Sequence, residues 1–364
     1  MPAYINGIGL ISPQQTTDSN SILPEVKEYT ADYLTCIEPN YKEFINPIAR
    51  RRMSRLIKMG ITAAKLALSD ANMLPSTSGE GSGEGSLPDA IITGTGLGSV
   101  EDTEKILSGM LAGEALMNPT PFIQSTYNTI SSQIAITLKC HNYNSTYVHR
   151  SFSFESALQD ALLQFDEGIA ASVLVSGIDE MTLNHLTITR KTGHWKMEPA
   201  NNLSILSSHT PGALAGEGAA SFILANAPSS STYASLNGVQ TIYKPADVIQ
   251  IENHIRRFLS GYGLSTDDMD AVILGYNGDC DYDSIYDKLG SSIFSEQQQL
   301  WYKHLCGEYY TSTGFALWLA ANILKNSLIP ASVKLNNHNP KQLKNILIYN
   351  QYRNINHSLM WLSK

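Results

Sequence analysis

The chain has 364 residues, 43% hydrophobic and 16% charged, a composition that excludes a disordered protein and leaves room for two ordinary domains or one large α/β unit. The formal net charge is −8 and no basic run exceeds Arg50-Arg51-Arg52, which excludes nucleic acid as a main partner and an anionic membrane surface as a footing. No apolar run is long enough to span a bilayer, and the first residues carry neither the basic nor the apolar stretch of a secretory signal. Cys36, Cys140, Cys280 and Cys306 lack metal-type spacing, so the expectation is a cytoplasmic protein with four reduced, buried thiols and no metal.

In chain order, the apolar run from Ala3 to Pro13, bounded by Gly and Pro, reads as a buried strand. From Met53 to Ala71, the residues Leu56, Ile57, Met59, Ile61, Ala64, Leu66, Ala67 and Leu68 predict a mostly buried helix. Pro75 to Pro88 is rich in Gly, Ser and Glu and reads as a flexible surface loop. A second buried strand, Asp89-Ala-Ile-Ile-Thr-Gly94, follows at once. The run Gly94-Thr-Gly96-Leu-Gly98-Ser99 imitates a dinucleotide-binding fingerprint, but Ser99 stands where its third glycine belongs and no acidic residue closes a second strand, so a Rossmann reading is rejected. Ser145 to Leu158 reads as a strand entering a helix. Farther on, a helix from Val248 to Leu259 and the strand Asp270-Ala-Val-Ile-Leu-Gly275 repeat the earlier helix and strand, again beginning Asp-Ala and stopping at Gly. Helices alternating with continuous apolar strands predict parallel sheets covered on both faces. The repeat is faint, and six residues of similarity do not by themselves prove a duplication; the expected division is into similar halves, 1–230 and 231–364, of one compact unit.

Several of these segments, taken in order, resemble β-ketoacyl synthases. They are Tyr4 to Pro13, Arg52-Met-Ser-Arg-Leu56 to Asp70, Gly94-Thr-Gly-Leu-Gly98, Asn118-Pro-Thr-Pro-Phe-Ile-Gln124 with Ser131 to Ala135, and Gly212-Ala-Leu-Ala-Gly216-Glu217-Gly218-Ala219. The resemblance implies a thiolase-like α/β fold of five αβαβα layers, built from two similar halves around buried central helices. It also implies where the chemistry would lie. Active members carry a Cys-His-His triad, and counting back from Gly168 the cysteine position falls on Ser151. Asn277 takes the first histidine position. Glu308 takes the second, five residues after a retained Lys303. Tyr352 stands where the gating phenylalanine would be, and Tyr352, Phe152 and Ser153 would line the substrate pocket, narrowed by the tyrosine.

A serine hydroxyl is a weak nucleophile unless a base takes its proton, whereas a thiol is already partly thiolate. Asn277 could donate to a developing oxyanion, but an ionised Glu308 is acceptor-only and would oppose an enolate's charge. Plainer readings stand beside these. Ser151 is a small residue suited to a helix start, Ser153 is the equivalent serine if the register shifts by two, and Asn277 is a turn residue before Gly278. Glu308 pairs with Lys303 as a structural ion pair. His149 and His304 are either displaced bases or packing residues. What the resemblance implies is a non-condensing, chain-length-factor-like subunit of fatty acid or polyketide (polyene) synthesis. Its partners would be an active synthase or a second copy of itself and an acyl carrier protein, with no bound cofactor and with phosphopantetheine-linked acyl thioesters as ligands. The alternative is an acyltransferase or residual synthase that uses Ser151.

Overall fold

The structure is a computed structural model that describes residues 2–16, 22–74 and 86–364. Most of the expected loop at Pro75–Pro88 lies outside the described residues. Short aliphatic runs form the ten strands of the main sheet: β1 (Ala3–Ile11), β2 (Ala90–Gly94), β3 (Tyr143–Tyr147), β4 (Ser172–Asp179), β5 (Gly218–Ala225), β6 (Ser235–Tyr243), β7 (Ala271–Leu274), β8 (Gln298–Trp301), β9 (Asn345–Tyr352) and β10 (Asn356–Ser363). Their spatial order is β8-β7-β9-β10-β6-β1-β5-β4-β2-β3. The two halves of this order mirror each other, and they meet at β1 and β6 through only the pairs Ala3–Leu236 and Tyr4–Ser235. Pairing is parallel around β2 and β7 but antiparallel through the middle, so the expectation of parallel sheets holds only for the outer strands.

The helices that matter for the site are α1 (Arg55–Asp70), α2 (Val100–Leu111), α3 (Thr129–Leu138), α4 (Ser153–Asp166), α5 (Val248–Ser260), α6 (Ser284–Ser291) and α7 (Thr313–Asn326). Ser54 caps α1 by accepting from the Ile57 N–H, and Asp247 caps α5 by accepting from the Gln250 N–H. Alternation along the strands sets the layers, because successive side chains point to opposite faces. Ala90 and Ile92 of β2, with Ala271 and Ile273 of β7, pack on α4 and α7 in the central layer. Ile91 faces outward to α1 and α3. Val272 and Leu274 face outward to α5 and α6. Helix α7 is buried on nearly every side, as a helix between two sheets must be. The five layers are therefore αβαβα, the thiolase-like arrangement.

The repeated Asp-Ala pairs do the same work in each half. Asp89 Oδ2 accepts from the N–H groups of Ala171 and Ser172, both at 2.9 Å. Asp270 Oδ2 accepts from those of Lys344 and Asn345, at 2.7 and 2.9 Å. Each carboxylate thus fixes the start of the neighbouring parallel strand. Among the described residues, no helix is long and apolar enough to cross a membrane.

Candidate functional site

Strand β3 ends at Tyr147, and the chain turns through Arg150, a non-glycine residue at φ +51°, before α4 begins. That left-handed conformation costs roughly 1–2 kcal/mol. It places Ser151, buried, at the head of the central helix. The Ser151 hydroxyl accepts a hydrogen bond from Asn356 Nδ2 at 2.8 Å. Ser153 is engaged locally: its hydroxyl accepts from the His149 N–H at 2.8 Å and donates to the Arg150 carbonyl at 2.6 Å. Of the two serines, Ser151 is thus the one whose hydroxyl meets another element. Phe152 is buried, with the His149 ring edge-on at 5.5 Å.

In the other half, β8 runs into the short helix Lys303–Cys306. Lys303 Nζ donates to Glu308 Oε2 at 2.5 Å, Asn277 Nδ2 donates to the same oxygen at 2.7 Å, and Ser312 Oγ donates to Oε1 at 3.2 Å. The Lys303 and Glu308 side chains are 0% and 2% exposed, so this is a buried ion pair with further donors satisfying the carboxylate. The Glu308 N–H donates to the Leu214 carbonyl at 2.7 Å, and its carbonyl accepts from the Gly216 N–H at 3.0 Å. That contact needs glycine: a Cβ on Gly216 would lie 2.0 Å from the Cys306 carbonyl oxygen, and Gly307 sits at φ +75°. The Gly212–Ala219 run is therefore the cradle of the Lys303–Glu308 turn. Its Glu217 accepts two hydrogen bonds from the Arg55 guanidinium, at 2.6 and 2.7 Å, which ties α1 to the same cradle.

Asn277 is both a turn residue and part of this cluster. Its Oδ1 accepts from the Asp279 N–H, while Asp283 accepts from the N–H groups of Asn277 and Gly278 and so aims the amide at Glu308. Burial pushes the Asp283 carboxyl up to about 7, against the pull of those two N–H groups and the Lys303 charge.

Three carboxyl groups here escaped sequence reasoning, as did Asn356. Glu155 lies one helical turn after Ser151 and is fully buried. Its Oε1 accepts from Ser358 Oγ at 2.9 Å. Burial raises it to about 7, opposed by its own backbone N–H, the hydroxyls of Ser358 and Thr313, and the Lys303 charge. Asn356 and Ser358 alternate on β10, so Ser151 and Glu155 form two rungs between strand and helix. A carboxylate four residues after the serine, one helical turn on and among Phe154, Ala157 and Leu158, was the available signal. Asp179 accepts from Thr95, Gly96 and Thr311 and stitches the Gly-rich turn to the residues after Glu308; burial raises it to about 6. The third is Asp283.

Other expectations are corrected. His304 stacks on Trp301 at 3.7 Å and its Nε2 lies 3.0 Å from the Ser332 carbonyl oxygen. Burial lowers its pKa to about 3. Neither it nor His149 bonds to Ser151 or Glu308. Cys280 is exposed, because it rides on the surface turn after Asn277, while Cys36, Cys140 and Cys306 are buried. Tyr352 ends β9 beside Tyr310, with ring centroids 5.3 Å apart. The space bounded by these two rings, Tyr309, Trp195 and Met181 is about 10 Å³, room for roughly one water molecule.

Residues 12–229 match the N-terminal domain of β-ketoacyl synthases. No curated protein matches the sequence. Among solved structures, the ishigamide ketosynthase/chain length factor is 15% identical with a TM-score of 0.76, matched over 100% of this chain and 99% of its own. A ketosynthase in complex with its chain length factor from Xenorhabdus doucetiae is 15% identical with a TM-score of 0.76, over 100% and 98%. A type II polyketide synthase acyl-carrier protein in complex with its ketosynthase gives 17% and 0.70, over 100% and 99%. At these identities the structures establish the fold, and the sequence match over more than half the chain establishes the lineage: the chain belongs to the β-ketoacyl synthase family.

Proposed function

We propose that this chain is a non-condensing, chain-length-factor-like subunit that pairs with an active ketosynthase in polyketide or fatty acid synthesis. The observation that carries this reading is the Glu308 cluster. A condensing site needs donors aimed at a developing enolate. Here the donors Lys303, Asn277 and Ser312 all end on a resident carboxylate. An acceptor-only group holds the position, and no base is bonded to Ser151.

A large unsatisfied surface supports the pairing. The outer edge of β3 has no strand neighbour among the described residues. Beside it, α2, α3 and the segment between them expose Leu111, Leu116, Phe122, Ile123 and Ile136, each at least 61% accessible. Apolar exposure next to an open sheet edge marks a protein interface. The occupant is an active Cys-His-His synthase. An open groove of about 440 Å³ lined by Lys42, Arg50, Arg51 and Lys58 gives this acidic chain one positive face, suited to an anionic carrier protein with its phosphopantetheine-linked acyl thioester.

The reading is tested by intact-mass measurement after incubation with malonyl- and acyl-loaded carrier protein, alone and with an active synthase from the same genome. No adduct on this chain, an intact malonyl group when it is alone, and a stable 1:1 complex with the synthase are the expected results. An acyl adduct that disappears in Ser151→Ala would replace this reading with acyl transfer by Ser151, whose hydroxyl the Asn356 amide would position.

A further inference from the structure

Arg150, the neighbour of Ser151 in the chain, is joined to two tyrosines from distant segments. Tyr310 follows Glu308 by two residues and packs against Gly96, where a Cβ would be 2.2 Å from Tyr310 Cδ2. The Gly-Thr-Gly-Leu-Gly turn therefore serves as the bed for this ring. Arg150, the residue before Ser151, donates from Nη1 to the Tyr310 hydroxyl at 3.2 Å and places its guanidinium carbon 5.9 Å from the ring centroid. On the far side, Tyr310 meets Tyr352, which in turn faces His194 at 6.5 Å.

The hairpin holds Tyr352 in place. Arg353 and Asn354, in the three-residue loop 353–355, both have φ near +50°, and the Ile355 N–H closes the turn onto the Tyr352 carbonyl at 3.0 Å. Tyr352 is paired across the hairpin with Asn356, the residue that holds the Ser151 hydroxyl. Arg353 Nη1 also donates to the Gly193 carbonyl at 2.9 Å and clamps the hairpin to the adjoining loop. One short hairpin thus supplies both the contact to the serine, through Asn356, and the ring that packs on Tyr310, through Tyr352.

We infer that Arg150, Tyr310 and Tyr352 form a stopper that denies this chain's own pocket to acyl chains, so that a chain elongated by a paired synthase grows elsewhere. The inference rests on the subunit reading above but has its own readout. Binding of the fluorescent fatty acid cis-parinaric acid is titrated into the full chain and into Arg150→Ala, Tyr352→Ala and Tyr310→Ala/Tyr352→Ala, with the exposed Tyr243→Ala as control. The wild type and the control show no saturable binding. The double variant gains saturable binding by about tenfold or more, with the single variants between. Wild-type binding within about threefold of the double variant overturns the stopper, and so does a folded double variant that binds nothing. Should the double variant fail to fold, the exposed Arg150→Ala decides alone, since it frees the Tyr310 hydroxyl without touching the core. Pairing with the synthase is followed separately by native mass. Its loss in an otherwise unchanged stopper experiment counts against the subunit reading alone.

Discussion

The two halves of the sheet follow one plan and end differently. Strand β8, at the edge of the second half, is nearly all buried, because residues 334–336 run alongside it. Leu300 bridges to Lys334, the Leu335 N–H donates to the Gln299 carbonyl, and the Gln299 N–H donates to the Asn336 side chain. Strand β3, its counterpart, leaves Tyr143 and Asn144 exposed with no such cover. Unprotected edges are aggregation hazards that proteins normally blunt. A fold that seals one edge and leaves the other open beside an apolar helical face has the open edge that the proposed pairing would cover. The residues after each edge follow suit: Lys303 is buried in an ion pair, while Arg150 stays at the surface.

This contrast can be broken most severely at Lys303. Lys303→Met leaves Glu308 buried without its counter-charge and is expected to cost about 3–5 kcal/mol in chemical denaturation. Adding Glu308→Leu should recover most of that. Arg150→Ala should stay within about 0.5 kcal/mol of wild type. Equal costs for Lys303→Met and Arg150→Ala would show that the halves are not differently sealed.

The open edge gives the next largest effect. Ile123→Asp with Ile136→Asp should weaken association by about a hundredfold, or 2.8 kcal/mol, in sedimentation equilibrium. The stability of the isolated chain should change little. A variant that pairs normally would place the interface elsewhere.

The symmetric feature offers a calibration. Asp89→Ala and Asp270→Ala each orphan two N–H groups and should each cost about 1–3 kcal/mol. The values should be similar if the halves share their architecture, and a large inequality would show that only one strand start depends on its carboxylate.

The smallest effect is on pH. Glu155 and Glu180 are raised by burial from 4.5 to about 7, and Asp283 from 3.8 to about 7. A carboxyl with a raised folded-state value holds its proton more tightly in the folded chain. Its contribution is therefore complete below its unfolded value and is lost as the pH rises through about 7. Thermal stability should fall between pH 5 and pH 8, by on the order of 1 kcal/mol for each such group. Glu155→Gln should flatten part of that slope. A rise in stability over this window would remove Glu155 as a buried, proton-holding carboxyl.

Much of the frame is legible in the sequence. The helix at 55–70 and the strands at 90–94 and 271–274 follow from apolar periodicity and the repeated Asp-Ala and Gly markers. The glycine run at 212–219 announces a close backbone approach. Asn356, Glu155 and Tyr310 were not legible, because each gains its meaning from a partner far along the chain: Asn356 from Ser151, Glu155 from Ser358, and Tyr310 from Gly96 and Arg150. Between the two readings of His304 only the structure chose, since proximity to Lys303 in sequence says nothing about which side of a short helix a ring takes.

The sequence by itself determined the lineage and drew attention to Ser151, Asn277 and Glu308 through the resemblance, because these are written in local pattern and order. Only the tertiary structure decided that Glu308 is clamped by three donors, that one sheet edge is covered and the other bare among the described residues, and that two tyrosines from distant segments pack together beside Arg150. Burial and hydrogen-bond partnership are properties of chain segments brought together, and no local pattern encodes which segment arrives.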